Sequence, residues 1–143
     1  MINIWQKTFT KIYPGVNKEA AWRIATDINR WPEWHGDLES CTMEEPFVVG
    51  NHFMLKPKDR KAVKIILTEI QEGHSFTDCT IFPGARMYNT HALEETSEGL
   101  RITNTTVVRG PLKWLWVKLV AEHVTATIEE ETEALINLVE QRT

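Results

Sequence analysis

The sequence contains little cysteine and no long apolar run. Its two cysteines, Cys41 and Cys79, lie in separate strand-like segments without the spacing of metal ligands. They are therefore expected to be reduced structural thiols rather than a disulfide or a metal site. No stretch reaches the roughly 18 apolar residues that a membrane-spanning helix needs, and the N-terminal residues lack the basic and apolar regions of a signal peptide. These absences predict a cytoplasmic protein without stable membrane insertion.

The sequence also has too little positive charge to favour a nucleic-acid partner. It carries 16 Lys and Arg against 20 Asp and Glu, a net charge of -4, whereas nucleic-acid binders usually present a basic face. One basic cluster, from Lys56 to Lys64, is interrupted by Asp59 and is interpreted as a solvated hairpin turn rather than a phosphate-binding patch. A phosphate-binding glycine loop and a nucleophile elbow are both missing.

Neither a metal nor another cofactor is expected. Four of the five histidines share no metal-ligand spacing with carboxylates. These are His35, His52, His74 and His123.

The strongest pattern in the sequence is a long C-terminal helix, predicted from Pro111 to Arg142. Gly110 allows a turn, and proline suits the first helical position. Apolar residues then recur at the three-and-four spacing of one helical face. Around Trp114 to Val117 the helix is apolar nearly all round, so it requires a large concave apolar partner.

The remaining residues predict seven strands and two short helices. Residues 2–13 form the first strand, followed by a helix capped by Asn17 and a tighter helical turn around Pro32. Between residues 38 and 109, turn signals recur about every ten residues, which indicates six consecutive antiparallel strands. Only the long helix can fill the groove of such a curved sheet. We therefore expect residues 1–143 to form a single α+β domain, a seven-stranded antiparallel curved sheet around a long C-terminal helix.

Four local signals occur in an order that resembles one known superfamily. They are Ile12 to Trp22, Thr26 to Trp34 with its aromatic-Pro-Glu-Trp turn, Glu98 to Thr103, and Gly110-Pro111-Leu112. Together they resemble the START-like superfamily, also called SRPBCC or helix-grip proteins, which includes the birch-pollen allergens. The branch that looks similar is the polyketide cyclase/dehydrase and lipid-transport group.

This resemblance implies a deep cavity between the sheet and the C-terminal helix. Members of the superfamily bind sterols, lipids, polyketides, plant hormones or quinones there. Some members catalyse cyclisation or dehydration, and many do no chemistry. The fold therefore implies a class of ligand and leaves the reaction open.

Strand parity selects the side chains that are expected to line the cavity, because alternate residues share a face. Leu93 in the sixth strand and Ile102 in the seventh are taken as inward. In the fifth strand we choose the face with two Phe residues, although it would bury the carboxylate of Asp78, which is costly without a partner. Two leucines of the long helix are added as a lid. The predicted ligand-binding residues are Phe76, Asp78, Met87, Asn89, His91, Asn104, Thr106, Leu115 and Leu119.

His91 is the candidate catalytic residue. An imidazole in a partly dry cavity can act as an acid or a base near neutral pH, and an adjacent Asp78 would orient it. The alternative is that His91 makes one hydrogen bond and has no chemical role. Trp31 and Trp34 are expected to pack against the sheet rather than to close the cavity.

Three functions remain open at this point. The leading hypothesis is a binding protein for a mainly apolar small molecule. The second is a polyketide cyclase or dehydratase that uses His91, and the third is a quinone or lipid chaperone with a protein partner. Trp114 is interpreted either as the edge of the lid or as a dimer contact, so a monomer and a homodimer are both possible.

Overall fold

The computed structural model describes residues 4–142. The strands are β1 (Ile4–Tyr13), β2 (Leu38–Thr42), β3 (His52–Pro57), β4 (Val63–Gln71), β5 (Ser75–Phe82), β6 (Ala85–Thr96) and β7 (Gly99–Arg109). They form one antiparallel sheet of seven strands in the order β1-β7-β6-β5-β4-β3-β2. The predicted curved sheet with a long C-terminal helix is thereby confirmed. Residues 2 and 3 of the predicted first strand lie outside the described residues.

The two short helices follow β1 as predicted. Helix α1 spans Lys18–Ala25, and the side chain of Asn17 caps it by accepting a hydrogen bond from the Ala20 amide at 2.8 Å. A 3-10 helix follows at Ile28–Glu33. Within it, the buried Trp31 donates its indole N–H to the Ala25 carbonyl at 2.9 Å, which fixes this turn against α1.

The C-terminal helix is interrupted, which corrects the prediction of one regular helix from Pro111 to Arg142. It consists of α2 (Lys113–Trp116), a π-helical turn (Val117–Ala121), α3 (Glu122–Ala126) and α4 (Ile128–Gln141). The hydroxyl of Thr125 donates to the Ala121 carbonyl at 2.9 Å, and that of Thr127 donates to the Val124 carbonyl at 3.3 Å. Such bonds back to the preceding turn compete with the helical ladder and bend helices, which accounts for the break at Thr127.

The start of this helix is attached to the turn between β5 and β6. The Leu112 amide donates to the Gly84 carbonyl at 2.9 Å. Gly110 has a φ of +123°, and a Cβ placed there would lie 2.6 Å from the same carbonyl oxygen. The ring of Trp116 stacks on Phe82 with 4.4 Å between centroids. The approach of backbone to backbone therefore requires glycine at the junction.

Two apolar clusters join the helices to the sheet. The larger packs the short helices and α4 against the sheet and includes Trp31, Phe76 and Leu135. The smaller packs the π-helical turn against β6 and includes Met87 and Val117. The clusters are separate, and residues of both border the same internal space.

A cavity between the sheet and the C-terminal helix

A cavity of about 540 Å³ lies between the inward face of the sheet and helices α3 and α4. This volume lies within the range of small-molecule sites, about 300 to 1,000 Å³, and such sites are mostly apolar with a few polar groups. The apolar wall includes Trp31, Trp34, Leu55, Ile65, Phe76, Phe82, Met87, Leu93, Ile102, Val120, Val124, Ile128 and Leu135. The space is thus suited to an apolar molecule rather than to a hydrated ion.

Six of the nine residues predicted as ligand-binding line this cavity. They are Phe76, Asp78, Met87, Asn89, His91 and Asn104. Thr106 lies one layer behind them. It is fully buried opposite Asn89 in the β6–β7 pairing and donates its hydroxyl to Asn89 Oδ1 at 2.7 Å. Thr106 therefore orients the Asn89 amide rather than lining the space itself.

Leu115 and Leu119, the predicted lid, lie outside the cavity lining. They are 49% and 51% exposed on the outer face of the helix, and the cavity wall is formed instead by Val120, Val124 and Ile128. The sequence of this segment is apolar nearly all round, so its pattern did not distinguish the inward face from the outward one.

The first polar group in the cavity is the pair of His91 and Asp78. His91 Nε2 donates to Asp78 Oδ2 at 3.3 Å, and the side chains are 25% and 4% exposed. The imidazole also stacks on Phe76 with 4.5 Å between centroids and a 20° interplanar angle. The buried carboxylate thus has the partner that its burial requires, and the imidazole is held at the cavity surface.

A second pair, His35 and Glu131, was missed by the sequence analysis. His35 Nδ1 donates to Glu131 Oε2 at 2.8 Å, and the side chains are only 14% and 15% exposed. Both residues line the cavity. The pairing joins positions 96 residues apart, which no local pattern shows. One signal was available: Glu131 lies one turn after Ile128 and one turn before Leu135, so it shares their inward face.

Aromatic rings surround the imidazole of His35. Its centroid lies 5.0 Å from that of Trp31 and 4.0 Å from that of Trp34. Two ring nitrogens here are buried without a hydrogen-bond partner among residues 4–142, namely His35 Nε2 and Trp34 Nε1. Trp31 and Trp34 pack in the core as predicted, and they also form part of the cavity wall.

The cavity is bordered on one side by the turn between β3 and β4. Lys58, Arg60 and Lys61 lie on this border and are exposed. The Lys58 amide donates to the Asp37 carbonyl at 2.9 Å, which joins this turn to the segment after the 3-10 helix. The basic cluster therefore lies in a solvent-exposed turn, and it also gives the cavity border a positive charge.

The buried thiol of Cys41 is not poised for nucleophilic attack. Burial raises the pKa of the Cys41 thiol to about 12, and the Asp78 carboxylate contributes in the same direction. The thiol is therefore neutral near pH 7, and the thiolate is the nucleophilic form.

Within the described residues, no group of three or more His, Cys, Asp or Glu side chains is placed to hold a metal ion. Among residues 4–142, no helix is both long and apolar enough to cross a membrane.

The comparison with protein families agrees with this geometry. A family model described as polyketide cyclase / dehydrase and lipid transport matches residues 10–140. None of the curated proteins matches the chain in sequence.

Several solved structures share the fold at low sequence identity. Norcoclaurine synthase from Thalictrum flavum, in complex with dopamine and hydroxybenzaldehyde, has a TM-score of 0.72 and 15% identity over 98% of this chain and 90% of that one. The di-domain ARO/CYC StfQ from the steffimycin biosynthetic pathway has a TM-score of 0.78 and 12% identity over 97% of this chain and 52% of that one. Ara h 8.0201 has a TM-score of 0.74 and 14% identity over 97% of this chain and 99% of that one. These similarities establish the helix-grip fold.

Proposed function

Because the chain belongs to the polyketide cyclase/dehydrase and lipid-transport family, we propose that its cavity binds a mainly apolar small molecule, such as a lipid, a polyketide or a quinone-like compound. The observation that carries this proposal is the cavity of about 540 Å³ with its apolar wall. Removing apolar ligand surface from water contributes about 25 cal/mol per Å² before the costs of association. The norcoclaurine synthase structure, which has the same fold, contains two small aromatic molecules.

The polar residues of the cavity would set the orientation of such a ligand. Asn89, His91 and Asn104 line one wall, on neighbouring strands. Their few donors and acceptors are surrounded by apolar side chains, and this arrangement gives specificity within a largely hydrophobic site.

Titration with N-phenyl-1-naphthylamine, a neutral fluorophore that brightens in apolar sites, tests the binding function. We expect saturable binding of one dye per chain, accompanied by a blue shift of its emission. Native mass spectrometry of the purified protein should in addition show a co-purified small molecule that the dye displaces. Emission that rises linearly with dye concentration, without saturation, would contradict the proposal.

A second candidate function is acid–base catalysis by His91, favoured by its hydrogen bond to Asp78 in an apolar wall. The imidazole would remove a proton from a carbon beside a carbonyl group and return a proton to the product. A probe for this step is 2-tetralone in D₂O, because exchange of its α-hydrogens requires only proton removal and return of a deuteron. General-base catalysis typically contributes 10²-fold or more, so His91→Phe should slow the protein-catalysed exchange by about a hundredfold. Equal exchange rates with the wild type and the variant would exclude His91 as the base.

The chaperone alternative depends on the outer face of the helix. Trp114 is 60% exposed and is available as a contact, whereas Trp116 packs on Phe82 and donates its indole N–H to the Pro83 carbonyl at 2.8 Å.

We further propose a cytoplasmic location, no nucleic-acid partner, and a monomer or a homodimer formed through Trp114. Light scattering after gel filtration distinguishes the two oligomeric states, and Trp114→Ser should abolish any dimer.

A further inference from the structure

We propose that the turn between β3 and β4 binds an anionic group of the ligand. The ligand is then an amphiphile, whose apolar part fills the cavity and whose carboxylate or similar anion stays at the cavity border. This inference rests on the proposed binding function and names the chemical class of its ligand.

The cavity meets solvent along an edge that is mostly basic. Six of the residues that line the cavity are also exposed, so they lie where the internal space opens to solvent. Three of the six are cations and one is an anion at neutral pH, which leaves this edge with an excess of positive charge. The six residues are Gly36, Asp37, Lys58, Arg60, Lys61 and His123.

The three cations of this basic edge have no acidic partner. Lys56, in the same segment, forms an ion pair with Glu39 at 3.1 Å. Lys58, Arg60 and Lys61 form no ion pair with any residue between positions 4 and 142. Their ammonium and guanidinium groups are therefore available to an anion that arrives from solvent.

The backbone holds the basic edge next to the apolar wall. The Lys58 amide donates to the Asp37 carbonyl at 2.9 Å, which fixes the turn against the segment after the 3-10 helix. On either side of the turn, Leu55 on β3 and Val63 on β4 line the cavity. A molecule with its charge at the turn can therefore extend its apolar part directly along the wall.

The acidic groups inside the cavity determine which way such a molecule binds. Asp78 is buried and Glu131 is largely buried, and each is hydrogen-bonded to a histidine. An anionic group placed beside them would lose its hydration and would face charges of its own sign, which is unfavourable. The anion therefore stays at the basic edge, and the apolar part points inward.

Two dyes with the same ring system isolate the anionic group. N-Phenyl-1-naphthylamine is neutral, and 8-anilino-1-naphthalenesulfonate differs from it by one added sulfonate. We define the affinity ratio as the Kd of the neutral dye divided by the Kd of the anionic dye. The border variant, which combines Lys58→Gln, Arg60→Gln and Lys61→Gln, should lower this ratio about fivefold, as expected for charge contacts that remain exposed to solvent.

A control variant removes the same charges elsewhere on the surface. It combines Lys7→Gln, Arg23→Gln and Lys118→Gln, again two lysines and one arginine. All three residues are exposed, and none of them lines the cavity. The control should keep the wild-type affinity ratio. An equal fall in both variants would overturn the proposal, because the effect would then come from the net charge of the protein.

Competition shows whether the anion and the apolar site belong to one ligand. Decanoate should displace the neutral dye from the wild type, and it should do so more weakly in the border variant. 1-Decanol, which has a chain of the same length without the charge, should displace the dye equally from both proteins. Decanoate that binds without displacing the dye would place the anion outside the cavity and overturn the proposal.

The outcomes separate this inference from the binding function. If the neutral dye binds saturably and the affinity ratio is the same in the wild type and the border variant, the anion site is wrong and the apolar site stands. If the neutral dye does not bind, the binding function fails and the anion site fails with it.

Discussion

Asp78 is the least exposed carboxylate of the cavity wall, and His91 is its partner at 3.3 Å. Strand parity placed His91 on the inward face, and for Asp78 the prediction also required choosing the face of β5 that carries two Phe residues, among them Phe76, which pairs with His91. Strand parity could not predict that His35 lines the cavity. That residue follows a 3-10 turn rather than a strand, and its partner Glu131 belongs to a helix 96 residues away.

Removal of His91 should destabilise the protein through Asp78. Removing the hydrogen-bond partner of a buried polar or charged group costs about 1 to 3 kcal/mol or more. Because the His91 side chain is 25% exposed, we expect a loss nearer to about 2 kcal/mol for His91→Phe in urea unfolding at pH 7. The double variant His91→Phe with Asp78→Asn should recover part of that loss, since it no longer buries a charge.

A matched surface pair provides the control. His52 lies 3.0 Å from Glu45, with both side chains at least 40% exposed, and exposed pairs contribute about 0 to 1 kcal/mol. His52→Phe should therefore change the free energy of unfolding by less than His91→Phe. Equal effects of the two substitutions would show that the Asp78 carboxylate does not need His91.

The buried Cys41 thiol should lower the folding stability of the protein at alkaline pH. Burial raises the pKa of its thiol from 9.0 to about 12. Below pH 9 the thiol is neutral in both the folded and the unfolded state, so its contribution is fully present. As the pH rises from 9 towards 12, only the unfolded state ionises, and stability falls.

The test compares the wild type with Cys41→Ala at pH 8 and pH 10. Between these values the wild type should lose more stability in urea unfolding than the variant, by up to about 1.4 kcal/mol. Other groups that titrate in this range, including Cys79, are common to both proteins. Identical losses would show that the Cys41 thiol ionises as readily in the folded state as in the unfolded state.

At the scale of elements, the junction of the sheet with the C-terminal helix depends on Gly110. The sequence pattern Gly-Pro indicated a helix start, but it did not show that the turn at Gly84 would lie against it. At Gly110 a Cβ would approach the Gly84 carbonyl oxygen to 2.6 Å, whereas at Gly73, also with positive φ, nothing lies within 4 Å. A substitution at Gly73 therefore tests backbone strain alone, whereas one at Gly110 tests backbone strain together with a steric clash.

Gly110→Ala should cost more stability than Gly73→Ala. The left-handed conformation alone costs an alanine about 1 to 2 kcal/mol, and this is the expected loss for Gly73→Ala in thermal or urea unfolding. The clash with backbone atoms should raise the loss for Gly110→Ala by at least about 1 kcal/mol. Equal losses would mean that the helix start moves away from the turn without cost.

The helix itself shows the limit of periodicity. Apolar spacing predicted a long C-terminal helix, yet the π-helical turn at Val117–Ala121 and the break at Thr127 were not visible in it. The break at Thr127 depends on hydroxyl groups bonding to the preceding turn, and apolar spacing does not show such bonds. The faces of Leu115 and Leu119 were misjudged for a related reason, since apolar residues surround that segment on all sides.

At the scale of the whole molecule, the order of turns and helices was sufficient to predict the fold. Each strand of the meander ends at a Gly, Pro or polar turn, and the antiparallel order follows from the short connections. The size of the cavity did not follow, because it depends on how far the sheet curves away from the helix. Residue patterns specify which side chains face inward and leave that distance open.

A cavity-filling substitution tests most directly whether this internal space binds an apolar molecule. Val124 lines the cavity on α3, whereas Leu119 lies in the preceding π-helical turn and is exposed on the outer face. Val124→Trp should place an indole in the space and weaken binding of N-phenyl-1-naphthylamine by about tenfold or more, equivalent to about 1.4 kcal/mol. Leu119→Trp adds a larger side chain outside the space and should bind the dye as the wild type does. If Val124→Trp, shown to be folded by circular dichroism, binds the dye as tightly as the wild type and Leu119→Trp, the ligand site lies elsewhere.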